Sequence, residues 1–245
     1  MFGSVRPRPS LDGHDRIVIA PHHPDRLRRP RPRPGAAASD RFQHALTWNV
    51  FRTLELLTPA FWLRRFHVRL TGESSSAAPQ IARVSLWQPL PLPPIQRIDG
   101  ACADVAVDVV IETEHALWTI VVADAESDWV DGDERAARVI DAGAWLAGRR
   151  DHYCAVIEPD TSSASIGGVL ARRYTRSRDS VALRSATRGP AAPALKGFGA
   201  VPWTDLAAIL RDCAEAESLP PIERALARNA TIWLEEVGIA AAASP

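Results

Sequence analysis

The chain has 245 residues, 46% of them hydrophobic and 24% charged, enough for one substantial core. Its 29 basic and 29 acidic side chains cancel, whereas autonomous duplex binders ordinarily carry a large positive excess, so strong unaided binding to DNA is not expected. No run of about 18 uncharged apolar residues is present, no apolar secretory segment follows the start, and Cys102, Cys154 and Cys213 are too scattered for a zinc site or a disulfide framework, which points to a cytoplasmic protein with no membrane association.

The neutrality conceals an asymmetry. Residues 1–39 hold eight arginines against three aspartates, a net of +5, and the remainder balances it. Their VRPRP and RLRRPRPRPG runs lack backbone donors and favour extended geometry. Either a solvated, disordered arm or a basic strap for nucleic acid or a protein partner fits this composition. The short RIVIAP run at 16–21 suits an added edge strand or a contact with another subunit.

The folded domain is expected over 40–240. Phe42, Leu46, Val50, Leu54 and Leu57 recur at helical spacing, with Ser39 or Asp40 as cap and Pro59 near the stop. Residues 61–69 read equally as helix or strand. TGESSSAAP is a loop, 81–88 a strand ended by PLPLPP, and 104–111 and 116–125 two buried strands joined by a hairpin link, ETEH. Asp131 and Glu134 form a capping box for a helix whose Ala136, Ile140, Ala144 and Ala147 give a small-residue face for close packing on a sheet. A strand follows at 152–159. Residues 160–200 are rich in Ser, Arg, Gly and Pro and give no clear element. Helices at 205–216 and 222–237 close the chain, the second opened by Pro220 and Pro221. The order predicts an α/β fold with a mixed sheet and helices on its faces.

Several phrases in this order, ALTWNVFRTLELL, DVVIETEHALWTIVV, SDW and RVIDAGAWLAGRRDHYCAVI, resemble bacterial members of the PD-(D/E)xK, restriction-endonuclease-like nuclease superfamily over about residues 42–158. The resemblance implies a mixed central sheet flanked by helices and a Mg²⁺-dependent endonuclease, acting on DNA in the setting of bacterial antiviral defence. In such a site two carboxylates hold a hard cation through oxygen. The metal acidifies a bound water and neutralises the phosphate. A lysine two residues beyond the second carboxylate shares its strand face and orients the water.

The resemblance places the first carboxylate, a metal ligand, at Asp108, with Asp104 as the alternative. The Glu and Lys positions fall on Ala123 and Ala125, so Mg²⁺ binding is expected to be weakened or lost. A turn centred on Thr113 and Glu114 would put both alanines on the Asp104/Asp108 face, with Ala123 nearly opposite Asp104. The competing register sets Val121–Ala123 beside Asp108, and it too lacks the pair. Evolutionary decay to a binding or scaffolding fold, or replacement of Glu and Lys by alanine, accounts for the pattern. A site migrated to Asp124 and Glu126 would face the other way.

Arg149, Arg150, Arg64 and Arg65 are the candidate phosphate contacts, against the plainer role of charge at helix ends. Lys196, the only lysine, sits in a Gly-flanked stretch. Gln43, His44 and Glu55 lie on the first helix, which often borders the metal site in that superfamily, although surface charge explains Glu55 as well. Trp48, Trp118, Trp145 and Trp233 fall in apolar periodic segments and are expected in the core. Trp129 is expected to be more exposed and is a candidate for base stacking, against the plainer role of packing. His22 and His23, the serines at 162–165 and SIGGVL match no metal cluster, nucleophile elbow or phosphate loop.

Overall fold

A computed structural model describes residues 38–74, 79–92, 104–123, 132–158 and 195–239. The arm, Cys102, Asp124, Ala125, Glu126, Trp129 and Asp131 lie outside them. Two helices open the described fold, α1 (Ala38–Glu55) and α2 (Pro59–Thr71). The ambiguous 61–69 stretch is therefore helical. Trp62, Leu63, Phe66, His67 and Leu70 form its buried stripe, and Gly72, at φ 74°, ends it in the left-handed conformation that suits glycine.

Next come β1 (Arg83–Pro91), β2 (Asp104–Glu112) and β3 (Ala116–Val122), then α3 (Gly132–Ala147) and β4 (Asp151–Glu158). The last three elements are β5 (Leu195–Pro202), α4 (Trp203–Glu215) and α5 (Pro221–Glu236). β5 lies in the stretch whose sequence gave no clear element. The sheet order is β1-β2-β3-β4-β5. Strands β1, β2 and β3 form an antiparallel meander, and β4 and β5 run parallel to β3.

Two apolar cores sandwich the sheet. One joins α1, α2, α4 and α5 through residues such as Phe51, Trp62, Phe66, Trp203 and Leu210 to Val109, Ile111, Trp118, Ile120 and Ile157. The other lies under α3, where Val139, Ile140 and Ala144 meet Leu117, Val121, Cys154 and Val156. The expected small-residue face of α3 thus packs on the sheet through Ile140, Ala144 and Ala147. Trp145 corrects an expectation. It is 43% exposed, because it falls on the side of α3 turned from the sheet.

The β2–β3 turn also differs from expectation. Thr113 donates its amide to the Ala116 carbonyl at 2.9 Å, and its hydroxyl oxygen accepts from the Ala116 amide at 3.0 Å. These bonds shift the turn by one residue along the chain and pair Glu112 with Leu117. The turn therefore centres on Glu114 and His115, and Ala123 does not come opposite Asp104.

Candidate functional site

The site region begins where the sheet changes its pleat. Along a regular strand, alternate residues share a face. Val105 and Val107 join the core under α3, yet Val109 and Ile111 join the core on the opposite face. On the neighbouring strand, Val84 and Leu86 belong to the helix-rich face, and Leu90 and Leu92 to the α3 face. Both strands change over between these groups, at Asp108 and Trp87. Trp87 has φ 52°, the one positive φ outside glycine among the described residues. The β1–β2 ladder pairs Leu86 with Val109 and Gln88 with Val107, and skips the Trp87/Asp108 position between them.

The same point separates β2 from β3. Their ladder runs from Glu112↔Leu117 to Val109↔Ile120 and ends there, while β2 stays paired with β1 as far as Asp104↔Pro91. Beyond the split, the Asp108 carboxylate accepts a hydrogen bond from the Val122 amide at 2.8 Å. A side chain thus supplies the acceptor that the departing strand no longer offers. β3 continues along β4 instead, with Ala123 N donating to Ile157 O at 2.8 Å.

Asp108 is thereby tied to the residue preceding Ala123, close to the Val121–Ala123 arrangement that the sequence left as the competing register. Ala123 is 5% exposed and packs in the α3-side core. Asp104 is exposed at the start of β2. Four residues at ~3.3 Å each set it ~13 Å along the strand from Asp108.

Glu158 is the residue that sequence reasoning missed. It ends β4, is 5% exposed, and follows Ile157, the ladder partner of Val122. It therefore stands across from Ala123, on the α3 side with Cys154 and Val156. A glutamate closing an apolar strand was the available signal, since a buried carboxylate needs compensation and seldom arises from packing alone.

The other candidates lie elsewhere. Arg150 caps α3, donating to Ala147 O at 3.3 Å and Leu146 O at 3.2 Å, and pairs with Glu112 at 3.1 Å. This is the far end of β2, ~13 Å along the strand from Asp108. Arg149 beside it is exposed. Arg65 stacks on Phe61 at 3.7 Å and pairs with Asp212 at 3.3 Å, whereas Arg64 is exposed. Lys196 lies 3.7 Å from Asp151 at the start of β4, at the opposite end of that strand from Glu158. Glu55 pairs with Arg52, which also donates to Val84 O at 3.1 Å and stacks over Trp48 at 5.1 Å. Trp48 in turn stacks on Trp87 at 6.0 Å, and His44 meets Trp87 edge-on at 5.4 Å. Through this column α1 reaches the strand beside Asp108. Gln43 keeps a buried side-chain oxygen without a partner.

The donor set decides how a metal would fit. Mg²⁺ needs several oxygen ligands in near-octahedral geometry. Among the described residues no three His, Cys, Asp or Glu side chains are grouped to hold a metal. Asp108 already spends one carboxylate oxygen on Val122, and the neighbouring position offers only the Ala123 methyl group. These residues do not fit a resident Mg²⁺. Among the described residues, burial pushes the Cys154 and Cys213 thiols up to about 12, which leaves both of them unreactive. No helix among the described residues is long and apolar enough to cross a membrane.

No family model, curated protein or solved structure matches this chain.

Proposed function

We propose that this chain is a PD-(D/E)xK-type nuclease domain presented without the Glu and Lys of its active site. One observation carries the reading. An aspartate stands where β2 parts from β3 and holds the backbone beside Ala123, in a helix, three-strand meander, helix and parallel-strand arrangement. A carboxylate at Ala123 would stand between Asp108 and Glu158, the setting in which oxygen ligands gather on a cation. With alanine there, water activation and charge neutralisation at a phosphate both lose their source. DNA is the substrate this reading favours, with defence against foreign DNA as the setting. Arg64 and Arg149, being exposed, are the better placed of the four arginines to meet phosphate.

A second reading is supported by the packing of Ala123 in the α3-side core. A fold whose site decayed would fill that position with a small apolar side chain, and would serve as a nucleic-acid-binding or scaffolding subunit. The net +5 of residues 1–39 suits such an assembly role, since a basic, proline-rich segment offers charge to a partner.

The test compares the chain with its Ala123→Glu/Ala125→Lys variant on mixed DNA and RNA substrates with Mg²⁺ or Mn²⁺. Metal-dependent cleavage by the variant alone supports the nuclease reading. No cleavage by a variant that is still folded supports the scaffold.

A further inference from the structure

We infer that Trp87 is a positioning residue for Asp108, its left-handed backbone turning the carboxylate out of the pleat and toward Val122. The inference rests on Asp108 being the anchor of the site proposed above.

A regular pleat through β1 and β2 would keep Val105, Val107, Val109 and Ile111 on one face. The structure divides them between two cores, and the change of face falls at the Trp87/Asp108 position that the ladder skips. A change of face on both paired strands at one level needs a local break in the backbone. Trp87 supplies it, with φ 52°. That conformation is strained for a residue with a Cβ and persists only where the surroundings fix it. Here the column from α1 does so. The Trp87 ring is stacked on Trp48 and met edge-on by His44, and Arg52 covers Trp48. Helix α1 thus holds Trp87, Trp87 breaks the pleat, and the break frees the Asp108 side chain to meet the Val122 amide past the end of the β2–β3 ladder.

The backbone, more than the indole ring, should therefore govern Asp108. Glycine at position 87 removes the ring and keeps the left-handed conformation cheap. Valine removes the ring and strongly resists that conformation. Alanine lies between them.

The experiment follows the Val122 amide by two-dimensional NMR in the full chain, while pH is lowered until Asp108 protonates. The parent amide should move with that ionisation, and Asp108→Asn should abolish the movement. Trp87→Gly should retain it, Trp87→Ala should reduce it, and Trp87→Val should lose it, with the β4 amides reporting in each case that the sheet is intact. Should Trp87→Val fail to fold, the order of Gly above Ala decides. Equal loss in Trp87→Gly and Trp87→Ala would overturn the inference in favour of simple ring packing. Full retention in every folded variant would overturn it outright. Neither readout involves cleavage, so a chain that never cuts nucleic acid can still confirm or refute the role of Trp87.

Discussion

Gly143 of α3 lies directly over the ring of His152 on β4. A methyl group at position 143 would collide with that ring and come within 2.9 Å of the Thr119 methyl group. His152 is fully buried, its Nε2 2.9 Å from Thr119 Oγ1 and its Nδ1 without a partner. The close approach lets α3 cover the sheet where β3 and β4 hold this buried polar pair. Gly143→Ala is expected to cost about 1–3 kcal/mol through overpacking. Chemical denaturation measures it, and an unchanged midpoint would mean that α3 stands off from the sheet.

The same histidine sets a pH dependence. Burial lowers its pKa from 6.5 to about 3. Between those values the unfolded chain binds a proton that the folded one refuses. Stability conferred by the neutral ring is therefore complete above pH 6.5 and declines as pH falls toward 3. For one such group the slope approaches about 1.4 kcal/mol per pH unit. A His152→Gln variant should lose that slope between pH 6 and 4, whatever its own baseline stability. Parallel curves for the two proteins would show that His152 is protonated in the folded state.

Glu223 of α5 ties down the start of α2. Its carboxylate accepts from the Thr58 amide at 2.6 Å and from the Thr58 hydroxyl at 3.0 Å. Thr58 makes no side-chain cap of its own, so a residue 165 positions away serves as the cap. Glu223→Ala should cost about 1.5–3 kcal/mol, as expected for a lost charge-assisted pair of bonds. Glu223→Gln should cost less, because the amide oxygen still accepts. A denaturation midpoint that does not move in either variant would count against this clamp.

Arg150 and Arg149 separate structure from recognition. Arg150 closes the carbonyl end of α3 and reaches Glu112. Its pair with Glu112 is about a quarter exposed on each side and is discounted for solvent. Arg150→Ala should cost roughly 1 kcal/mol, mostly through lost capping bonds. Arg149→Ala should stay within about 0.5 kcal/mol of the parent and, if this end meets phosphate, should reduce the salt dependence of nucleic-acid binding. The reverse pattern would reassign the two residues.

Much of this fold is legible in the sequence because its elements are strongly periodic. Alternating valines marked β2, a continuous apolar run marked β3, and small residues at helical spacing marked the contact face of α3. The undecided 61–69 stretch is helical because Trp62, Phe66 and Leu70 share a stripe, whereas its interleaved arginines mimic strand alternation. β5 was hidden because Gly197 and Gly199 weaken any strand signal. Their lack of a side chain lets α2 approach, since a Cβ on Gly199 would press on the Leu70 carbonyl.

The candidate site was only half legible. Asp108 was singled out by the family resemblance, with Asp104 as the alternative, and not by the residue pattern itself. Its attachment to Val122 depends on a pleat change that no residue pattern announces, because Trp87 is an ordinary strand former whose left-handed backbone is imposed by packing. Glu158 escaped notice because its relation to Ala123 arises from parallel pairing across a crossover, a long-range register that local spacing does not encode. Trp145 was misplaced because Ala144, Leu146 and Ala147 adjoin it in sequence, whereas Asp141 and Arg149, one helical turn away on either side, mark its face as polar.

The central claim is that Asp108 and position 123 are arranged to share a cation once a carboxylate stands at 123. Mn²⁺ binding, read by calorimetry, tests it without any substrate. The Ala123→Glu/Ala125→Lys variant should bind Mn²⁺ saturably, the parent chain should bind at least tenfold more weakly, and adding Asp108→Asn to the variant should return it to the parent level. A folded variant that binds no better than the parent, or binding indifferent to Asp108→Asn, would contradict the placement of the site.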